Sequence, residues 1–174
     1  SAAVEHLIDK MSKQISEDQA LINVVASLYV AARRVFTLLR ESDDGHYAEL
    51  ETRNATGDRQ TRQDTLSNAI FEREIVDAGG VRDLITEERA DPYRVGEGRY
   101  SIALDPFDGS KAFRYGIPPG SIFAIFRDAR GVDGYIGENI CASGVFTYGV
   151  GLSLLLSIGG RVFSFRDDAV EIVD

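Results

Sequence analysis

With 174 residues, 44% of them apolar and 27% charged, the chain is sized for one globular core and shows no internal repeat or low-complexity segment. Its net charge of −9 and pI near 4.7 would repel a nucleic-acid backbone or an anionic bilayer over most of the surface, so neither is read as a partner. A single cysteine, Cys141, excludes an intramolecular disulfide and a multi-cysteine zinc site, and His6 and His46 are too few and too scattered for a histidine cluster.

The N-terminus lacks a basic-then-apolar secretory pattern, and no stretch reaches about 18 continuous apolar residues. A reducing, cytoplasmic setting is the expectation. The chain opens on Ser1 rather than Met, as a processed or excised piece would.

Val4, Leu7, Ile8 and Met11 recur at helical spacing and predict a short amphipathic helix over the first dozen residues. Ser16-Glu17-Asp18-Gln19 reads as a capping box for a second helix. Behind it, Leu21, Val24, Val25, Leu28, Ala31, Ala32, Val35, Leu38 and Leu39 form a wide apolar stripe, so this helix should be well buried and stop near residues 42–45. A polar segment over residues 51–63 precedes a third helix, marked by Leu66, Ala69, Ile70 and Ile75 and ended by Gly79-Gly80.

Beyond Gly80 the pattern changes to short apolar runs separated by Gly, Asp and Pro: residues 81–85, 100–104, 122–126, 144–148, 152–158, 162–165 and 170–173. Helices first and strands later predict an α+β fold, a layered α/β sandwich in which helices cover a large sheet.

Acidic residues gather at the predicted element ends. Asp105-Pro106-Phe107-Asp108-Gly109-Ser110 follows the run Tyr100-Ser101-Ile102-Ala103-Leu104, Glu87-Glu88 follows residues 81–85, and Asp58 and Asp64 flank five polar residues. If the strands are neighbours, their ends bring the acids together. Such a cluster repels itself until a divalent cation neutralises it, and Mg²⁺ suits a few carboxylates that leave room for water and substrate oxygens. The Gly-containing turn after Asp108 offers backbone N–H groups to a phosphate.

Each piece also has an ordinary structural reading. Asp-Pro-x-Asp-Gly is a common surface turn, Glu87-Glu88 a solvated loop pair, and Asp58 with Asp64 a helix N-cap region. Arg59, Arg62, Arg99 and Arg127, taken singly, are surface residues, Tyr148-Gly149 is a strand-end turn, and Cys141 is a small buried apolar side chain.

Taken together and in order, the segments resemble the class I fructose-1,6-bisphosphatases of the lithium-sensitive, Mg²⁺-dependent sugar phosphatase superfamily. The resemblance rests on Asn54-Ala55-Thr56-Gly57-Asp58 with Asp64, Glu87-Glu88, the run from Asp105 to Ser110, Gly120-Ser121-Ile122-Phe123-Ala124-Ile125-Phe126-Arg127, Ala142-Ser143-Gly144-Val145-Phe146-Thr147-Tyr148-Gly149 and Glu171-Ile172-Val173-Asp174. It implies a mixed, mostly antiparallel sheet flanked by helices.

It further implies that Glu87, Asp105, Asp108 and the Phe107 carbonyl ligate Mg²⁺, with Mn²⁺ or Zn²⁺ as alternatives, and that Glu88 and Asp58 complete or support the sites. Asp64 and Glu88 would activate water, with Asp58 beside them, and the backbone of Gly109, Ser110 and Lys111 would hold the reacting phosphate. The implied reaction is hydrolysis of a phosphorylated sugar, fructose 1,6-bisphosphate, in carbohydrate metabolism and gluconeogenesis, by a full-length enzyme that is a homo-oligomer.

Three departures stand out. Lys111-Ala112-Phe113 replaces the family's usual Ser-Asn and looks more like the 3′(2′),5′-bisphosphate nucleotidases, which makes a nucleotidase, or a bisphosphatase for another sugar, the alternative. Arg99, Tyr100 and Arg127 match positions that bind the inhibitor AMP in some members, but residues 16–22 lack the expected threonines. Family members also carry about as much sequence again beyond the point matched by Asp174, so the reading is an N-terminal metal- and phosphate-binding domain over residues 1–174, without the C-terminal domain and of weak or no activity alone. A non-catalytic assembly or regulatory module is the remaining alternative.

Overall fold

The computed structural model describes residues 2–41, 49–53, 59–166 and 169–173. Helix α1 (Ala2–Gln14) buries Ala3, Leu7 and Met11, the inward side of the predicted amphipathic pattern. Helix α2 (Gln19–Arg40) follows, and it buries Leu21, Val24, Val25, Leu28, Ala31, Ala32 and Val35 completely. By length and composition α2 is apolar enough to cross a bilayer, yet it is the central core helix, and the apolar stripe that raises its hydropathy faces protein.

The cap of α2 is not the predicted one. Asp18, not Ser16, is the N-cap; its Oδ1 accepts from the Ala20 amide at 3.0 Å. A carboxylate beside exposed helix amides is the stronger acceptor, and the other Asp18 oxygen is held by the Tyr100 hydroxyl at 2.8 Å.

The polar segment contains two short antiparallel strands, β1 (Glu49–Arg53) and β2 (Arg59–Thr61). Helix α3 (Arg62–Ala78) starts earlier than its apolar residues suggested, because Thr61-Arg62-Gln63-Asp64 forms a full capping box. It ends at Gly79, whose φ of 72° is easy only for glycine.

The remaining strands are β3 (Val81–Thr86), β4 (Tyr93–Arg94), β5 (Tyr100–Asp108), β6 (Gly120–Arg127), β7 (Ile140–Tyr148), β8 (Leu152–Ile158), β9 (Arg161–Arg166) and β10 (Ala169–Val173), with a one-turn helix α4 (Ser110–Phe113) after β5. They form an eight-stranded sheet in the order β10-β9-β8-β7-β6-β5-β3-β4. All neighbours are antiparallel except β3 and β5, which run parallel. The mixed, mostly antiparallel sheet is thus present.

Period-two alternation decides which face is covered. Ile102, Leu104, Phe123, Ile125, Phe146, Leu154, Leu156, Phe163 and Phe165 enter one core with the helices. Phe146 is its hub, packing against Tyr29, Phe71 and Phe123 with ring centroids 5.6 to 6.4 Å away. A Cβ at Gly144 would stand 2.7 Å from the Phe123 ring, so glycine there is what admits the ring to the sheet. On the opposite face Ile122 pairs with Val145 and Val145 with Leu155, and all three are exposed.

Candidate active site

Parallel pairing of β3 with β5 explains how distant acids meet. The register sets Thr86 opposite Leu104, so Glu87 and Glu88, in the turn leaving β3, stand next to Asp105 on β5. Asp64 arrives from the first turn of α3, which packs over β5.

Asp64 is buried and rigidly held. Its Oδ2 accepts from the Thr61 amide at 2.6 Å and the Thr61 hydroxyl at 2.8 Å, so the side chain serves a helix cap as well as facing the cluster. Burial pushes its carboxyl up, against the pull of the Thr61 hydrogen bonds, a Ser110 hydrogen bond and the Lys111 charge.

Burial also pushes Glu87 up to about 7, assisted by the charges of Asp105, Glu88 and Asp64. Glu88 rises to about 7 for the same first cause, with Asp64 and Asp105 adding repulsion. Asp105 is raised by burial and by Asp108, while the Phe107 amide and a hydrogen bond with Glu87 oppose the rise. Glu87 and Asp105 are thus hydrogen-bonded neighbours whose carboxyls are both pushed up, chiefly by burial. Half-buried carboxyls pushed up together, by burial first and by neighbouring acids second, mark a candidate functional site.

The predicted strand end at Leu104 lies too early. β5 runs on to Asp108, but its pairing with β6 slips: Asp105 faces Ile122, whereas Asp108 faces Gly120. Three steps on β5 against two on β6 make a bulge that carries both aspartates. Asp105 Oδ1 accepts from the Phe107 amide at 3.2 Å, and the buried Phe107 ring meets Phe113 edge-on at 5.9 Å.

Gly109 then takes a left-handed φ of 86°, which turns the chain into α4. Its carbonyl accepts from the Ala112 and Phe113 amides. The Ser110 and Lys111 amides stand in the first helical turn, where no intrahelical carbonyl is available to them. An open groove of about 780 Å³ runs beside the acids and is lined by Glu87, Asp105, Arg89, Ile122, Phe123 and Ser143 among others.

Among the described residues, no group of three His, Cys, Asp or Glu side chains is gathered tightly enough to hold a metal ion unaided. The chemistry of the donor set still fits a hard divalent cation, since it is all oxygen and its carboxyls repel one another. Asp58, assigned to the same site from the sequence, lies outside the described residues, as does the rest of 54–58.

The residues matched to an effector site also come together, at the other end of β5. Arg99 makes a two-pronged contact with Asp128 at 2.7 and 3.3 Å, Tyr100 donates to Asp18, and Arg127 bonds Glu17 at 2.6 Å. Both guanidinium groups lie about 6 Å from the Tyr100 ring centre. The arginines are thus engaged by carboxylates of the same chain. Sequence reasoning missed these acidic partners, which are separated from them by up to 110 positions and carry no local signal. It also missed Thr61 as the cap that orients Asp64, though the Thr-x-x-Asp spacing was legible.

The family model described as fructose-1-6-bisphosphatase, N-terminal domain, matches residues 2–171. The fructose-1,6-bisphosphatase of Schizosaccharomyces pombe is 34% identical over 122 residues, which is 66% of this chain and 35% of that protein. A class 1 fructose-1,6-bisphosphatase of Haloarcula marismortui is 32% identical over 123 residues, covering 70% of this chain and 41% of its own length. The solved structure of Leishmania major fructose-1,6-bisphosphatase in holo form shares the fold, with a TM-score of 0.85 over 96% of this chain and 57% of that one at 22% identity. The matched part of the chain spans 35% and 41% of the length of these curated relatives.

Proposed function

The chain belongs to the fructose-1,6-bisphosphatase family, as a match to its N-terminal domain, and on that premise we propose that it supplies the cation- and phosphate-binding wall of an enzyme converting fructose 1,6-bisphosphate and water to fructose 6-phosphate and phosphate. The observation that carries this reading is the meeting of Asp64, Glu87, Glu88 and Asp105 in one mutually repelling group where the parallel strands β3 and β5 end. The names of the curated relatives support the sugar substrate over a nucleotide bisphosphate.

Glu87, Asp105, Asp108 and the Phe107 carbonyl would hold Mg²⁺, or Mn²⁺ or Zn²⁺ in its place, with Glu88 and Asp58 completing or supporting the set. A bound ion supplies charge that polarises a phosphoryl oxygen and stabilises the leaving alkoxide. The chain's own groups do the rest. Glu88, beside Asp64 and Asp105, is one group placed to take a proton from the attacking water. Asp64, locked by Thr61, is the second group able to accept that proton.

The amides of Gly109, Ser110 and Lys111 aim the phosphate for in-line attack, and the Lys111 charge reaches as far as Asp64. No side chain is assigned as a covalent nucleophile. The cluster around Tyr100 is read as structural, because an anion entering there must displace Glu17, Asp18 or Asp128 from its partner.

The test is phosphate release from fructose 1,6-bisphosphate in Mg²⁺ by the natural full-length gene product, with Asp108→Ala alongside. Metal-dependent release that the substitution abolishes supports the reading; no metal-dependent release contradicts it. A preference for 3′-phosphoadenosine 5′-phosphate would move the assignment to the nucleotidases, the alternative suggested by Lys111-Ala112-Phe113.

A further inference from the structure

Two buried hydroxyls lie behind the bulge that carries Asp105 and Asp108. Ser121 on β6 is fully buried and Tyr148 at the end of β7 is 4% exposed. Ser121 Oγ lies 2.8 Å from the Pro106 carbonyl oxygen and 2.6 Å from the Tyr148 hydroxyl. A carbonyl can only accept, so the single Ser121 proton goes to Pro106, and the Tyr148 hydroxyl must donate to Ser121. The direction of the chain Tyr148 to Ser121 to Pro106 is thereby fixed.

Pro106 is the residue at which such a support matters. It sits inside the slip in the β5–β6 ladder, between the pairs Asp105–Ile122 and Asp108–Gly120. A bulge leaves backbone groups without ladder partners, and a buried carbonyl left unbonded is costly. Pro106 also has no N–H with which to hold its own position. Tyr148 is in turn immobile: its amide bonds the Pro119 carbonyl at 2.9 Å, and its ring stacks on Phe36 of α2 at 6.4 Å. The support therefore runs from the helical layer through the sheet to the peptide between the two aspartates.

We infer that Ser121 and Tyr148 are positioning residues, holding the Pro106 carbonyl so that the bulge presents Asp105 and Asp108 at the spacing a divalent cation requires. This rests on the reading of those aspartates as cation ligands. Both residues are buried behind the bulge. Each acts through the peptide that joins the ligands.

The experiment uses Ser121→Ala, Ser121→Thr and Tyr148→Phe in the intact chain, with two readouts. Amide hydrogen exchange at Phe107 in the metal-free protein reports the shape of the bulge, and Mn²⁺ affinity, followed by the electron spin resonance of the free ion, reports its use. Ser121→Ala should speed exchange at Phe107 and weaken Mn²⁺ binding by about 10–100-fold, the range typical of outer partners of metal ligands. Ser121→Thr, which keeps the hydroxyl, should restore both, and Tyr148→Phe, which keeps the ring stacked on Phe36, should give a smaller change of the same sign.

Unchanged exchange at Phe107 in folded Ser121→Ala overturns the inference. So does unchanged Mn²⁺ affinity when the parent chain binds the ion. If the parent binds no Mn²⁺, it is the cation reading of the site that fails, and exchange at Phe107 alone then decides whether the hydroxyls hold the bulge.

Discussion

The two ends of strand β5 carry the same kinds of side chain in opposite electrostatic states. Where the strand begins, Arg99 meets Asp128, Tyr100 meets Asp18 and Arg127 meets Glu17, and the carboxyls of Asp18 and Asp128 are held below their ordinary range by the hydrogen bonds they accept. Where it ends, Asp105 meets Glu87, with Glu88 and Asp64 close by, and all four are pushed up. One end is complete within the chain. At the other, acids crowd one another, and on the proposed function a cation would relieve them.

The hardest test of that contrast is to remove a carboxylate at the acidic end. Asp105→Asn should lower Mn²⁺ affinity by at least about 100-fold, beyond the effect typical of an outer-shell partner, as followed by isothermal titration. Loss of a mutually repelled charge should at the same time leave the metal-free melting temperature unchanged or raised. A melting temperature that falls along with affinity would make Asp105 a structural acid like Asp18.

The next largest effect is on pH dependence, and the two ends predict opposite signs. Glu87 and Glu88 hold protons to about pH 7 in the folded chain against an ordinary value of 4.5, so the folded state is the more protonated one between those values. Stability must then fall as pH rises through that window. In the presence of a chelator the melting temperature should decline from pH 5 to pH 8, Glu88→Gln should flatten the decline, and Mg²⁺ should remove most of it. Asp18 and Asp128, with lowered values, contribute stability that is present above the ordinary carboxylate range and lost only in stronger acid. Chelated protein that melts at the same temperature throughout pH 5–8 would show that the acids are not in contact.

Much of this layout is visible in the sequence. The stripe from Leu21 to Leu39 identified the core helix, and the short apolar runs after Gly80 located every strand of the main sheet except the two-residue β4. Local chemistry also marked Asp105-Pro106-Phe107-Asp108-Gly109, Glu87-Glu88 and Asp64 as acids at element ends. The bulge was not legible, because it depends on the slip between Asp105–Ile122 and Asp108–Gly120, a property of two strands rather than of either. Nor was the meeting of Glu87 with Asp105, which follows from the parallel register of β3 and β5. Asp18 and Ser16 illustrate a local error of the same kind: both suit a helix cap, and Tyr100, distant in sequence, holds the one that is used.

The smallest effects belong to the matched end. Glu17→Gln should lower the melting temperature by roughly 1–4 °C, as expected for loss of one partly exposed ion pair in a chain of this size, and should leave Mn²⁺ affinity within about twofold. AMP at millimolar concentration should cause no thermal shift in the parent chain, because the arginines are already bonded. A clear shift with AMP would mean that the carboxylates release Arg99 and Arg127 easily, and that the two ends of β5 differ less than the structure shows.

The most direct measurement is the titration of the Glu87 and Glu88 carboxyl carbons by NMR, with and without Mg²⁺. Without metal, midpoints near 7 are predicted for both, and Mg²⁺ should drive them down toward or below the ordinary carboxylate range. Ordinary midpoints that Mg²⁺ leaves unmoved would contradict the claim that this end of the sheet is built for a cation.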